Sequence, residues 1–182
     1  AGGTIYLEKG KQYEIYFNHT CVYLEPLSVR LAWTTPSMYE KAMAEAEQAA
    51  RESDVAIVFA WHQSVSDRLS LEENQDELIS RVAAANPHTV VVLNNGDAVE
   101  MPWRDQVPAI LEMWFSGQEG TRATLAVLEG AVNPAWRLPV TFPKKLEDLA
   151  ARDPKHPERY APSGRISEKD AKHPNTAYFT EG

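Results

Sequence analysis

Between Ala60 and Leu69 the chain reads Trp61-His62-Gln63-Ser64-Val65-Ser66-Asp67-Arg68, a run of groups able to bind or to move protons directly after an apolar stretch. Histidine is the side chain type most often used to move protons, so His62, with Asp67 close by in the sequence, is a candidate proton donor; its other reading is a polar contact to ligand or backbone. Trp61 offers an aromatic face for stacking on a ligand ring, with core packing as the alternative role. Asp67 and Arg68 either pair as a structural clamp or contact ligand hydroxyls. Ser64 carries only a hydroxyl, whose pKa lies far from the working range of a general acid. Glu72 and Glu73 read as first-turn acids that complement a helix dipole. Farther on, Asn94, Asn95 and Asp97 read as a polar turn satisfied by its own backbone bonds, and Glu119 as the cap of a helix.

These positions gain meaning from the elements around them. Open parallel sheets bind ligands at the carboxyl ends of their strands. Val55–Ala60 is an unbroken apolar run of the kind that suits a parallel strand covered on both faces. Before it, Thr35-Pro36-Ser37 reads as a helix entry, and residues 38–52 are rich in Ala and Glu, with Met38, Ala42, Ala46 and Ala49 on one face. After it the cycle repeats: a helix over 72–85 with Leu78, Ile79 and Val82 inward, a break at Asn86-Pro87, and a strand over 89–93. A strand over 109–115, a helix over 119–128 ended by Gly130, and a last strand over 138–142 follow. Strands alternating with helices predict an α/β fold, a three-layer α/β/α sandwich with a mostly parallel sheet.

Residues 4–33 read instead as β. Ile5, Leu7, Tyr13, Ile15 and Phe17 alternate about Lys9-Gly10-Lys11, which predicts a hairpin, and a further strand is expected over 28–33. Two or three strands do not make an independent sandwich, so this short β segment reads as the end of a larger domain. Past Pro143, residues 144–176 combine prolines and charges without apolar periodicity and read as an extended surface segment. The expected organisation is therefore residues 1–35 as the end of a β domain, 36–143 as the α/β sandwich, and 144–182 as a surface segment leading to a further domain. Ala1-Gly2-Gly3 reads as an internal start.

Bulk properties narrow the function classes. The 182 residues, 43% apolar and 24% charged, suit one core with a small appendage. A net charge of -8 argues against nucleic acid. The longest apolar runs are too short to cross a bilayer. Cys21 is the single cysteine and the five histidines lack ligand spacing, so neither a disulfide within the chain nor a metal or other cofactor is expected. No G-x-G-x-x-G, G-K-[ST] or G-x-S-x-G motif points to a nucleotide binder or a serine hydrolase. Asn18-His19-Thr20 fits a glycosylation sequon, which bears on location only in a secretory setting.

The run from Trp114 to Pro143, WFSGQEGTRATLAVLEGAVNPAWRLPVTFP, resembles the signature of the C-terminal α/β sandwich domain of glycoside hydrolase family 3, W-Y-P-G-Q-E-G, a helix, then N-P-S-G-x-L-P-V-T-F-P. The family's E-G-x-D-R loop and following L-x-L-P-x-x-Q-x-x-L-I resemble Asp67-Arg68, Leu69, Leu71, Gln75, Leu78 and Ile79 here. LEKGKQYEI and VRLAWTTP resemble the closing strands of a protective-antigen-type β-sandwich insert, and AYFTEG resembles the family's Y-x-E-G segment.

The resemblance implies part of a β-glucosidase-type enzyme acting with retention on terminal β-D-glucosyl or similar residues. Its nucleophile would be an aspartate of an N-terminal (β/α)8 barrel partner, and Trp61, His62, Asp67 and Arg68 would face the sugar. The position of the family's acid/base glutamate falls on Ser64, which leaves the catalytic acid unassigned, with His62 a substitute. A non-catalytic sugar-binding or interaction module that keeps the fold is the alternative. Sugar, linkage, compartment and self-association into a homo-oligomer stay open.

Overall fold

The structure is a computed structural model that describes residues 5–16, 32–62, 69–135, 137–145, 148 and the backbone of 177–179. The chain divides into two compact units, Ala1–Thr34 and Thr35–Gly182.

In the second unit a parallel sheet carries the architecture. Its strands are β1 (Ala56–His62), β2 (Thr89–Asn95) and β3 (Ala109–Glu112), in the order β1-β2-β3. The register pairs Ala60 with Leu93, His62 with Asn95, and Leu93 with Glu112. The helices are α1 (Pro36–Arg51), α2 (Gln75–Ala85) and α3 (Gly120–Leu128). Parallel strands with intervening helices bear out the α/β sandwich expected from the alternation.

Helix α1 begins where its capping residues predict. Thr35 is the N-cap, its hydroxyl accepts the Met38 N–H at 3.2 Å, and Pro36 takes the first helical position, where its missing N–H costs nothing. The buried stripe differs from the expected one: Met43 and Ala50 are buried and Ala46 is partly buried, whereas Met38, Ala42 and Ala49 are exposed. A helix this rich in alanine signals no single apolar face, so Met43 rather than Met38 sets the rotation. Helix α2 packs on α1 and on β1 and β2, with Ile79 and Val82 buried as predicted. It starts later than expected, at Gln75, so its first-turn acids are Asp76 and Glu77. Glu72 and Glu73 lie before it, Glu73 with a left-handed backbone (φ 56°).

Asn86 ties the ends of both helices to the sheet. Its side-chain amide donates to the carbonyls of Ala50 (2.9 Å) and Ser53 (2.8 Å), its oxygen accepts the His88 N–H, and Thr89 donates to its carbonyl at 2.6 Å. Trp103 is fully buried, and its indole N–H donates to Asp76 at 2.7 Å.

Strand β2 is buried on both faces, with Val91 and Val92 fully inaccessible. On β1 only alternate residues are buried; Ile57, Phe59 and Trp61 on the other face are exposed. The expectation of a strand covered on both faces therefore holds for the central strand and not for β1. A short apolar run does not announce whether it sits at the centre or the edge of the sheet.

The last predicted strand also differs. β4 is only Phe142–Pro143, and it pairs antiparallel with β5 (Ala177–Phe179) in a separate two-stranded sheet. Glycines explain the wording of the Q-E-G turn. Gly117 has φ 65°, and a Cβ on Gly120 would collide with Ser116 Oγ and stand 2.9 Å from its Cβ. Glu119 occupies the N-cap position of α3 without the expected side-chain cap and instead stands 3.8 Å from Arg122.

In the first unit the Lys9-Gly10 turn is present, closed by Lys11 N–H donating to the Glu8 carbonyl at 3.2 Å. No strand forms over 5–16, and Ile5, Tyr6, Ile15 and Tyr16 are exposed, which corrects the predicted hairpin. A lone two-stranded hairpin with no face to bury against is marginal in water. Phe17, the sequon at Asn18 and the strand start at 28–31 lie outside the described residues, as does nearly all of 144–176.

Candidate functional site

Three parallel strands end in polar residues on one side of the sheet, β1 in His62, β2 in Asn95 and β3 in Glu112. The register places all three on the same face, since Leu93, two residues before Asn95, is the partner of Glu112. Trp61 and His62 are strand rather than loop residues, and being consecutive they point to opposite faces. The Trp61 side chain is half exposed, at 51%, whereas His62 is 3% exposed among core residues. Ser64, Asp67 and Arg68 lie outside the described residues.

What holds the end of β1 is Gln75. Its side-chain oxygen accepts the Trp61 N–H at 2.9 Å, and its amide donates to the Trp61 carbonyl at 2.9 Å and to the Glu72 carbonyl at 3.0 Å. One primary amide thereby completes the backbone bonding of an edge-strand residue, as a neighbouring strand would. It does so one residue before the polar run begins. A glutamine at the first position of an amphipathic helix gives no sequence signal of this role beyond its place in the family pattern.

At the end of β2, Asn95 donates to the Asp97 carbonyl at 2.6 Å, and Asp97 accepts the Ala98 N–H at 2.8 Å, the self-satisfied turn expected there. At the end of β3, Glu112 accepts the Trp114 N–H at 2.8 Å. Burial pushes the Glu112 carboxyl up to about 7, against the opposing pull of the Trp114 N–H, the Asn95 amide and the Met113 N–H. Such a group is charged and neutral in comparable amounts near neutral pH. Trp114 itself has φ 51°, a left-handed backbone that a bulky residue rarely adopts.

The three strand ends also carry unmet hydrogen-bonding capacity. His62 Nδ1, Asn95 Oδ1 and Glu112 Oε2 are buried and have no partner among the described residues. Sequence reading missed Glu112, although a lone acid inside Ala109–Phe115 was a visible signal. Among the described residues no group of three His, Cys, Asp or Glu is arranged to hold a metal, and no helix is long and apolar enough to cross a membrane.

Comparison with known proteins agrees with this architecture. Residues 5–182 match the C-terminal domain of glycosyl hydrolase family 3. The chain is 43% identical over 135 residues to β-glucosidase B of Emericella nidulans, covering 69% of this chain and 16% of that protein. It is 31% identical over 183 residues to a probable β-glucosidase J of Aspergillus fumigatus, covering 90% of this chain and 21% of that protein. The crystal structure of DesR, a β-glucosidase from Streptomyces venezuelae in complex with D-glucose, superimposes with a TM-score of 0.65 at 36% identity, over 79% of this chain and 19% of that one. The chain thus spans about a fifth or less of the relatives it matches.

Proposed function

The chain belongs to glycoside hydrolase family 3, as part of its C-terminal domain, and on that premise we propose that it forms the non-barrel wall of a β-glucosidase-type active site. The enzyme of this reading hydrolyses terminal non-reducing β-D-glucosyl or similar residues with retention. A (β/α)8 barrel, in the same gene product or another chain, brings the aspartate nucleophile. Residues 1–35 belong to an inserted β-sandwich, 36–143 to the α/β sandwich, and 144–182 to a segment leading onward.

The observation that carries this reading is the end of β1. Trp61 presents its indole to solvent while Gln75 fixes its backbone, directly ahead of residues 63–68. An aromatic face anchored at its backbone suits stacking on the C–H face of a pyranose, with Asp67 and Arg68 contacting hydroxyls. His62 faces the core and acts from behind, as a support for the strand end.

Retaining hydrolysis needs two carboxyl groups about 5–5.5 Å apart, one to attack and one to protonate the leaving oxygen. Ser64 cannot supply that proton at neutral pH, so in this reading the donor comes from outside residues 61–68.

Trp61→Ala in the barrel-containing protein tests the stacking role. The expected result is a KM for an aryl β-glucoside raised roughly 5–20-fold with a smaller change in kcat, as for loss of uniform binding. An unchanged KM rules the stacking role out. Ser64 in place of the family's glutamate favours a second reading, a sugar-binding module without catalysis. Ser64→Glu in the barrel-containing protein separates the two: raised hydrolysis supports loss of the acid at this position, as the second reading has it, and unchanged hydrolysis keeps the donor outside this loop.

A further inference from the structure

The backbone of Trp61 faces a side of the sheet where no strand meets it. The Ala56 N–H donates to the His88 carbonyl just before β2, so along β1 the peptide groups of Ala56, Val58 and Ala60 turn toward β2 and those of Ile57, Phe59 and Trp61 turn away. β1 is the edge of its sheet, and among the described residues no strand lies on that outer side. Pairing with β2 therefore leaves the N–H and the carbonyl of Trp61 unheld, and these are the two groups that Gln75 takes, each at 2.9 Å. The amide can do so in one orientation only. Its two N–H donors serve the carbonyls of Trp61 and Glu72, and its oxygen serves the Trp61 N–H. Turned over, its nitrogen would face the Trp61 N–H and its oxygen two carbonyls. Gln75 is itself buried, at the start of the helix that carries Ile79 and Val82 into the core. A rotation of the Trp61 backbone swings the whole indole, so a fixed core residue sets the direction of a half-exposed ring.

We propose that Gln75 is a positioning residue for sugar binding, acting through the Trp61 backbone to hold the indole in the orientation that stacks on the sugar ring. The inference rests on the stacking role of Trp61. It differs from a purely structural role in what it does to kinetics. A glutamine that serves the fold alone changes the amount of active enzyme, and with it the apparent kcat, and leaves KM where it was. A glutamine that aims the ring changes KM, because a misdirected face loses binding to substrate and transition state alike. The two positions are then fully coupled, since without the indole Gln75 has nothing to aim.

The test measures KM for an aryl β-glucoside in the barrel-containing protein and in its Gln75→Met, Trp61→Ala and doubly substituted forms. Methionine keeps much of the shape of glutamine and makes none of its three bonds. The expected result is a KM raised several-fold by Gln75→Met, within the roughly 5–20-fold expected of Trp61→Ala. The double variant has the KM of Trp61→Ala. Gln75→Glu, which keeps an acceptor for the Trp61 N–H, gives an intermediate KM. Because KM does not depend on how much of the enzyme is folded, the comparison stands for a variant that folds only in part, and Gln75→Glu decides it where Gln75→Met does not fold at all. An unchanged KM in the Gln75 variants beside a raised KM in Trp61→Ala overturns the inference and leaves the stacking role standing. A further rise when Gln75→Met is added to Trp61→Ala also overturns it, because Gln75 then acts by another route. An unchanged KM in Trp61→Ala removes the stacking role and the inference with it.

Discussion

Gln75→Ala removes three hydrogen bonds at once, two of them from a single residue of the edge strand β1. Each intramolecular bond contributes about 0.5–1.5 kcal/mol net, and the Trp61 N–H and carbonyl left behind have no other strand to pair with among the described residues. Gln75 is buried but Trp61 is half exposed, so water reaches part of the vacated edge and the loss falls near the middle of the summed range. We expect a destabilisation of about 2–3 kcal/mol, and in a chain of this length a fall in Tm of roughly 4–12 °C. Urea denaturation followed by tryptophan fluorescence measures it. A loss below about 0.5 kcal/mol, the range of ordinary surface changes, refutes the claim that Gln75 holds the end of β1. Gln75→Glu sharpens the test. The introduced carboxyl accepts from Trp61 N–H but turns an oxygen toward the carbonyls of Trp61 and Glu72, where only a protonated oxygen can donate. Its pKa in the folded state is therefore raised, and the folded state binds more protons than the unfolded one. The stability this variant recovers is complete below the ordinary glutamate pKa of about 4.3 and is lost as pH rises through the raised value. A flat pH profile contradicts the assigned hydrogen-bond directions.

Glu112 titrates from about 7 in the fold, above its ordinary 4.5, mainly because it is buried. Its contribution to stability is full below about 4.5 and disappears as pH rises through about 7, so Glu112→Gln gains on the unmodified chain by up to about 3 kcal/mol between pH 5 and pH 8; a difference in urea midpoints that is constant with pH shows that burial is not what shifts this group. Glu73 is exposed with φ 56°, a conformation that costs a side-chain-bearing residue on the order of 1 kcal/mol, so Glu73→Gly raises Tm by roughly 2–4 °C, and a lowered Tm shows that the left-handed turn is not under strain.

Much of this architecture was legible in the chain because local chemistry and tertiary packing agree. Thr35-Pro36 marks the start of α1, Asn86-Pro87 the end of α2, and the runs at 56–60 and 89–93 the paired strands. What escaped depends on distance. Whether an apolar run becomes a central or an edge strand is decided by neighbours, and Ile57 and Phe59 look no different in sequence from Val91 and Val92. The partner of β4 comes from the far end of the chain, so an antiparallel pair could not be read from local periodicity. At the site, Trp61 and His62 were recognisable by residue type, but their opposite orientations follow from β1 continuing through His62. Gln75 reads as a helix residue until the free edge of β1 is known. Glu112 was the signal passed over, a single acid in an apolar strand whose meaning depends on how deeply that strand is buried.

The central claim is that this chain is one wall of a glycosidase site and not the whole of it. Hydrolysis of an aryl β-glucoside, measured on the 182-residue chain alone and on a protein that joins it to its family barrel, tests that most directly. The account predicts turnover only in the barrel-containing protein, lost when the barrel aspartate is replaced. Turnover by the isolated chain contradicts it.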